Sequence, residues 1–430
     1  MALTAQQTAT VKATAPIVKQ CGHLITATFY RNMLAAHPEL KNYFSLRNQQ
    51  SGAQQAALAN AVFAYAAYID DLPKLGKAVE RIAQKHASLF VRPDHYPIIG
   101  KYLVGAFAEV LGDALTPDIA DAWIAAYDQL ADVFINREKQ LYGQTGDWKA
   151  WRKFKIVDKE TETDDVVSLY LEPEDGEPLP AFKPGQYVSI QLPIPELGGL
   201  LQSRQYSLSI APDSSNTMRQ YRVSVKREKV QHAHDSTGDL DDLAAGKVPG
   251  VISNRLHQYN VGDEVQVSPP RGEFFFDPAT AAPDTPVVLL SIGVGATPLV
   301  SILDSIIQSS NRTRPVTWAQ AARHSDALCF RKHIGEIAAQ ASDSRDVNVK
   351  RAVFVKNLGE TDKQGIDYDY EGALNLATLA EDGALHLEDA TTEYYICGPE
   401  DWMVQMRREL VDRKVAWERV HLELFRTGDV

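Results

Sequence analysis

Cysteine is scarce in this chain: Cys21, Cys329 and Cys397 are the only three in 430 residues, and they lie far apart. That spacing fits neither a disulfide framework nor a zinc cluster, and it points to a reducing compartment. No apolar run approaches the roughly 20 residues that a membrane-spanning helix needs. The most apolar stretch, 287–303, is interrupted by Gly293, Gly295 and Pro298. Positive charge is short as well: 44 Lys and Arg stand against 56 Asp and Glu, a formal net charge of −12. Phosphate binding needs clustered cations, which excludes nucleic acid as the main partner. Residues 1–14 have no apolar segment behind a basic start, so no secretory leader is read there. The expectation is a cytoplasmic protein without integral membrane contact, with a monomer as the default.

What is present is ample core material. Apolar residues make up 44% and charged residues 23%, an ordinary globular balance. At about 150 residues per domain, the length suggests two to three domains. The chain then changes character twice. Residues 1–142 are rich in Ala, Leu, Gln and Glu, with apolar residues every three to four positions, as in Val62, Tyr65 and Ile69. About six to eight helices are predicted, with start signals at His37-Pro38, Pro93-Asp94 and Thr116-Pro117. Pro16 falls inside a helical pattern and should kink or break it.

From about Trp151 the period becomes two, as in 186–192, 205–210 and 221–226, with turn residues between. About six short strands up to Pro278 predict an antiparallel barrel. From Thr285 strands and helices alternate, with strands at 287–291, 316–320, 352–355, 394–397 and 420–425, which predicts a parallel α/β sheet. The expected units are 1–146, 147–280 and 281–430.

Several patterns carry chemistry. Ser291-Ile292-Gly293-Val294-Gly295-Ala296-Thr297-Pro298 follows a strand and opens a helix. Glycines there allow a pyrophosphate close to the backbone, and the helix start offers N–H groups to it. The bland alternative is a tight strand–helix turn. Arg204-Gln205-Tyr206-Ser207 sets a cation and an aromatic ring on one strand face, suited to a phosphate and a stacked ring. The bland alternative is a solvated Arg beside a packed Tyr.

In the helical part, His86 lies mid-helix in line with Val79, Ile82 and Leu89 or Phe90. It is either a hydrogen-bonded core residue or a ligand. Glu138 shares an apolar face with Leu130, Phe134 and Leu141, where a carboxylate is costly without a partner. A ligating imidazole gives its other N–H to such a group, which would pair Glu138 with His86. Glu138 could instead snorkel, or pair with Arg137 or Lys85. Tyr30 sits in an inward row with His23, Ala27 and Leu34, and its buried phenol needs either a ligand or a backbone carbonyl.

The segments Gly185-Gln186-Tyr187, Arg204–Ser207, Gly250-Val251-Ile252-Ser253, Gly293–Pro298 and Cys397-Gly398-Pro399 together resemble the ferredoxin reductase-like module. The resemblance implies FAD bound by Tyr187, Arg204, Gln205, Tyr206 and Ser207, with Tyr206 stacked on the flavin. It implies NADH or NADPH bound by Gly293, Val294, Gly295, Ala296, Thr297 and Pro298. Phe425 in the closing segment Glu423-Leu424-Phe425 matches an aromatic near the flavin. Arg426-Thr427-Gly428 then departs from the Gly-Pro of relatives. Arg323, after the second strand of the sheet, could meet a 2′-phosphate.

Phe29-Tyr30, His37–Leu40, Asn42–Phe44, Gln54, Leu58, Lys85-His86, His95–Pro97 and Asn136–Glu138 resemble the globin half of the flavohaemoglobins. The resemblance then covers essentially the whole chain. It implies His86 as the proximal ligand of a b-type haem, supported by Tyr96 and Glu138. Tyr30 and Gln54 would line the distal side, Leu58 would cover the iron, and Phe44 would pack on the porphyrin. Lys85 and Glu423 would tune the haem and flavin potentials. The implied activity is nitric oxide dioxygenation, turning NO and O₂ into nitrate at the expense of NAD(P)H, with Tyr30 donating a hydrogen bond to bound dioxygen. The alternatives are an oxygen sensor or carrier, and a general flavin reductase.

Overall fold

The structure, a computed structural model, describes residues 3–212, 218–228, 251–277, 281–282, 284–309, 314–343 and 347–425. Gly250, Pro278 and Arg426-Thr427-Gly428 lie outside the described residues. Seven helices fill the first part: α1 Ala5–Gln20, α2 Gly22–Ala36, α3 Leu46–Gln50, α4 Ala53–Ala67, α5 Gly76–Ser88, α6 His95–Leu111 and α7 Pro117–Gly143. The start of α7 follows its sequence signal: Thr116 accepts from the Ile119 amide, and Pro117 takes the first turn, where no N–H is needed.

At two places these helices differ from the sequence reading. Of the kink or break expected at Pro16, the break does not occur, because helix α1 runs through to Gln20. Proline removes a single backbone bond, and it does so in the last turns of a helix already packed by Val11, Ala15 and Val18. Nor is His86 mid-helix. Helix α5 ends at Ser88, and the amides of Leu89 and Val91 fold back on the His86 carbonyl at 3.1 and 3.0 Å. Phe90 makes this turn in the left-handed region at φ 57°, which is unusual for a bulky residue. Its ring is held by Trp151 at 5.3 Å and by stacking on Tyr142.

The core of the helical part gathers Phe29, Met33, Phe107 and Trp123. Fully burying each such side chain contributes roughly 1.5–3 kcal/mol. A second cluster, Ala83, Ala87, Tyr96, Phe134 and Leu141, surrounds the C-terminal end of α5.

The barrel consists of β1 Arg152–Thr163, β2 Val166–Pro173, β3 Tyr187–Ile194, β4 Leu200–Ser207, β5 Tyr221–Lys226 and β6 Glu264–Val267, with α8 Val251–Gln258 between the last two. The strand order is β4-β3-β6-β1-β2-β5, with every pairing antiparallel. Leu208 bridges to Val223, and the Ser209 amide donates to the Arg222 carbonyl at 2.8 Å. These links join the tail of β4 to β5 and close the barrel.

The last part is a parallel sheet of β7 Val287–Ile292, β8 Val316–Ala322, β9 Val349–Val355, β10 Tyr370–Glu371, β11 Glu393–Cys397 and β12 Val420–Glu423. Its order is β10-β9-β8-β7-β11-β12. Helices α9 Ala296–Gln308, α10 Arg331–Asp343, α11 Leu376–Glu381 and α12 Glu400–Asp412 alternate with the strands. The near-continuous apolar run of β7 reflects burial on both faces. No described helix is long and apolar enough to cross a membrane.

Candidate functional site

His86 and Glu138 meet, although 52 residues separate them. His86 Nδ1 lies 2.9 Å from Glu138 Oε1, and the Tyr96 hydroxyl donates to the same oxygen at 2.5 Å. The Tyr96 hydroxyl also lies 3.2 Å from Nδ1. Glu138 is only 2% exposed. Burial, followed by the Glu138 charge, pushes the Tyr96 phenol far up, so it stays protonated and donates. The other partners considered for Glu138 are not used this way. Arg137 donates from Nε to Glu80 at 2.6 Å, and Lys85 faces a different cluster.

Tyr30 is 5% exposed, and its ring packs edge-on against Phe44 at 5.4 Å. The Gln54 side chain of α4 reaches the Tyr30 hydroxyl and opposes the effect of that burial. Burial pushes the phenol well above its ordinary range. Leu58 packs against the same core as Phe44.

A charged cluster joins the helical part to both sheets. Burial, and then Arg204, push the Lys85 ammonium down to about 8, against the opposing pull of Glu423 and Glu273. Burial, and then Glu273, raise Glu423 well above the usual carboxylate range. Arg81, one turn before Lys85, donates to Glu273 at 2.8 Å. The fold thus brings Lys85, Arg204 and Glu423 together. Arg81 and Glu273 belong to the same cluster, and sequence reasoning missed both. The four-residue spacing of Arg81 and Lys85 was the available signal.

On β4, Arg204 faces Ile190 of β3 and Ser207 faces Tyr187 of β3. Arg204 donates to the Ser203 carbonyl at 2.8 Å. The buried Tyr206 hydroxyl has no hydrogen-bond partner, and neither has Asn254 Oδ1 in the first turn of α8. Burial pushes the Tyr187 and Tyr206 phenols up.

The loop after β7 is a tight 3-10 turn, Gly293–Gly295, and α9 begins at Ala296. Thr297 Oγ1 donates to the Val294 carbonyl at 3.0 Å. Pro298 is accommodated in the first helical turn. Gly293 adopts φ 58°. Gly295 is required for a different reason from close ligand approach: a Cβ there would lie 2.1 Å from the Cys397 carbonyl oxygen on β11. Ser291 Oγ and Trp402 Nε1, beside this loop and beside Gly398, are buried without partners. Ser291 is at the carboxyl end of β7 and Trp402 lies beyond that of β11, the side where such sheets take ligands. Glu423 closes β12, Leu424 packs into the sheet core, and Phe425 is 53% exposed beyond the strand.

Residues 27–134 match the Globin family, and residues 289–409 match the oxidoreductase NAD-binding domain family. The chain is 45% identical over 427 residues to the flavohemoprotein of Bordetella pertussis, covering 98% of each chain. It is 40% identical over 420 residues to the flavohemoprotein of Rhizobium meliloti, covering 96% of each. Its structure superposes on the flavohemoglobin of Malassezia yamatoensis, a crystal structure with bound FAD and heme, with a TM-score of 0.79 and 29% identity. That match covers 99% of this chain and 100% of the other.

Proposed function

The chain belongs to the flavohemoproteins, in which a globin is joined to an NAD-binding oxidoreductase, and from that premise we propose that it is a cytoplasmic nitric oxide dioxygenase driven by NADH or NADPH. The proposed units are a haem-binding 1–146, an FAD-binding 147–280 and a nicotinamide-nucleotide-binding 281–430. The observation that carries the reading is the half-buried His86 held by the buried Glu138–Tyr96 pair, standing in one chain with an NAD-binding sheet. A globin that only carries or senses oxygen has no need of such a reductase.

The residues present fit haem and FAD. His86 commits Nδ1 to Glu138 and so offers Nε2 to a metal. Tyr206 offers a partly buried ring whose buried hydroxyl is unmatched by protein, and Arg204 on the same strand suits a phosphate. When bound, these groups supply an iron that changes valence and a flavin that turns a hydride into single electrons.

The protein's own part is electrostatic and positional. Glu138 draws on the imidazole N–H and makes His86 a more basic ligand. Tyr96 donates to Glu138 and fixes the carboxylate, while burial keeps Tyr96 from ionising. Tyr30 and Gln54 form a distal donor pair under the apolar cover of Phe44 and Leu58. The Tyr30 hydroxyl can be aimed at negative charge developing on the oxygen substrate. The turn 293–298 offers backbone N–H groups to the nucleotide's pyrophosphate.

The test is NADH consumption under air. A pulse of NO should accelerate it sharply, with nitrate as the product. NADH consumption indifferent to NO would replace this reading with a general flavin reductase.

A further inference from the structure

The side of α5 turned away from His86 carries a polar stripe. Arg81, Gln84, Lys85 and Ser88 recur at three- and four-residue spacing. At about 100° per residue, Gln84 and Ser88 stand nearly opposite His86 on the helix. That side lies on the barrel, and both residues are buried there. Gln84 Oε1 accepts from the Gly272 amide at 3.0 Å. Ser88 Oγ accepts from Ser189 Oγ of β3 at 3.0 Å and donates to the Lys85 carbonyl at 2.8 Å. Ser189 Oγ in turn accepts from Gln205 Nε2 of β4 at 3.3 Å. Donors therefore run in one direction, from Gln205 through Ser189 and Ser88 to the Lys85 carbonyl.

We propose that Ser88 is a positioning residue for electron transfer, fixing the turn that carries His86 against the strand pair that carries Tyr187 and Gln205. The proposal rests on the reading that His86 holds the haem and that β4 holds the flavin. Each hydroxyl in the chain passes one donor onward, so the links reinforce one another. Ser189 and Ser88 are both fully buried, and water cannot replace a lost partner. Removing the Ser88 oxygen obliges Ser189 to turn to another acceptor, and Gln205 must follow it. The disturbance then reaches the flavin strand and the His86 turn together. A simple interface seal would affect stability alone.

The holoenzyme provides the test. Ser88→Ala should slow flavin-to-haem electron transfer several-fold in anaerobic stopped flow, because electron tunnelling weakens with each added ångström between the centres. Reduction of the flavin by NADH should keep its wild-type rate. The iron–histidine stretching band in the resonance Raman spectrum should shift in Ser88→Ala, and Ser88→Thr should restore it. Ser189→Ala should reproduce both changes, and the double variant should be no worse than either single one. Wild-type transfer rate and an unmoved band in both single variants would overturn the proposal, as would additive effects. If Ser88→Ala does not fold, Ser189→Ala, which lies in the barrel, decides alone. Wild-type protein without a Soret band or flavin absorbance would instead refute the cofactor reading itself.

Discussion

A buried phenol must place its hydrogen, and the burial of Tyr30 keeps that hydrogen on the oxygen. Tyr30→Phe keeps the ring against Phe44, so the fold should survive. Loss of a hydrogen bond to a partly anionic acceptor predicts that dioxygen leaves the reduced protein roughly ten- to a hundredfold faster. Stopped-flow dissociation rates for wild type and variant check this, and equal rates would mean that the hydroxyl points elsewhere. At this scale the sequence was most legible where a residue was out of place. Glu138 stood out as a carboxylate on an apolar face, and that oddity led to His86. The partnership of Tyr30 with Gln54 could not be read the same way, since it depends on how α2 crosses α4. The stripe of Arg81, Gln84, Lys85 and Ser88 was visible as spacing. It was passed over because polar residues on a helix ordinarily mark the solvated side.

Elements are held by a few close approaches. The missing Cβ of Gly295 leaves room for the Cys397 carbonyl, a backbone atom that cannot step aside. Gly295→Ala should therefore wedge β7 from β11 and cost at least about 1–3 kcal/mol. Flavin reduction by NADH should fail in this variant while the Soret band persists; spectra taken with and without NADH separate the two. Helices α9 and α10 are joined by His333 Nε2 and Asp304 Oδ1 at 2.7 Å. The hydrogen bond to Asp304 raises the His333 pKa above its ordinary value. A raised folded-state pKa stabilises below the unfolded value near 6.5, and the gain fades as pH rises through the folded value. His333→Gln should lower the urea midpoint at pH 6 and leave it nearly unchanged at pH 9. The reverse order would deny the ion pair. Element types were legible from their periods, but their ends were less so. Helix α5 stops two residues after His86 because Phe90 turns left-handed, and no glycine announces that turn. Phe425 was read into the last strand, which ends at Glu423.

Across the whole molecule, the order of helical, alternating and mixed segments was plain from the sequence, because each core imposes its own period. The barrel order β4-β3-β6-β1-β2-β5 was not, since it depends on pairings between distant segments. Nor was the junction legible. There α5 lays His86 on one side and its polar stripe on the barrel, and Arg81, Lys85, Arg204, Glu273 and Glu423 converge from three parts of the chain. That convergence is the physical basis for the proposal that the parts form one electron path, from a nicotinamide nucleotide to a haem held at His86. The central claim is that the path ends in dioxygenation. Reacting the protein with NADH, NO and ¹⁸O₂, and analysing the nitrate by mass spectrometry, tests it most directly. The account predicts nitrate carrying two ¹⁸O atoms, with two nitrates formed for each NADH consumed. Nitrate with one label, or NADH consumed without nitrate, would contradict it.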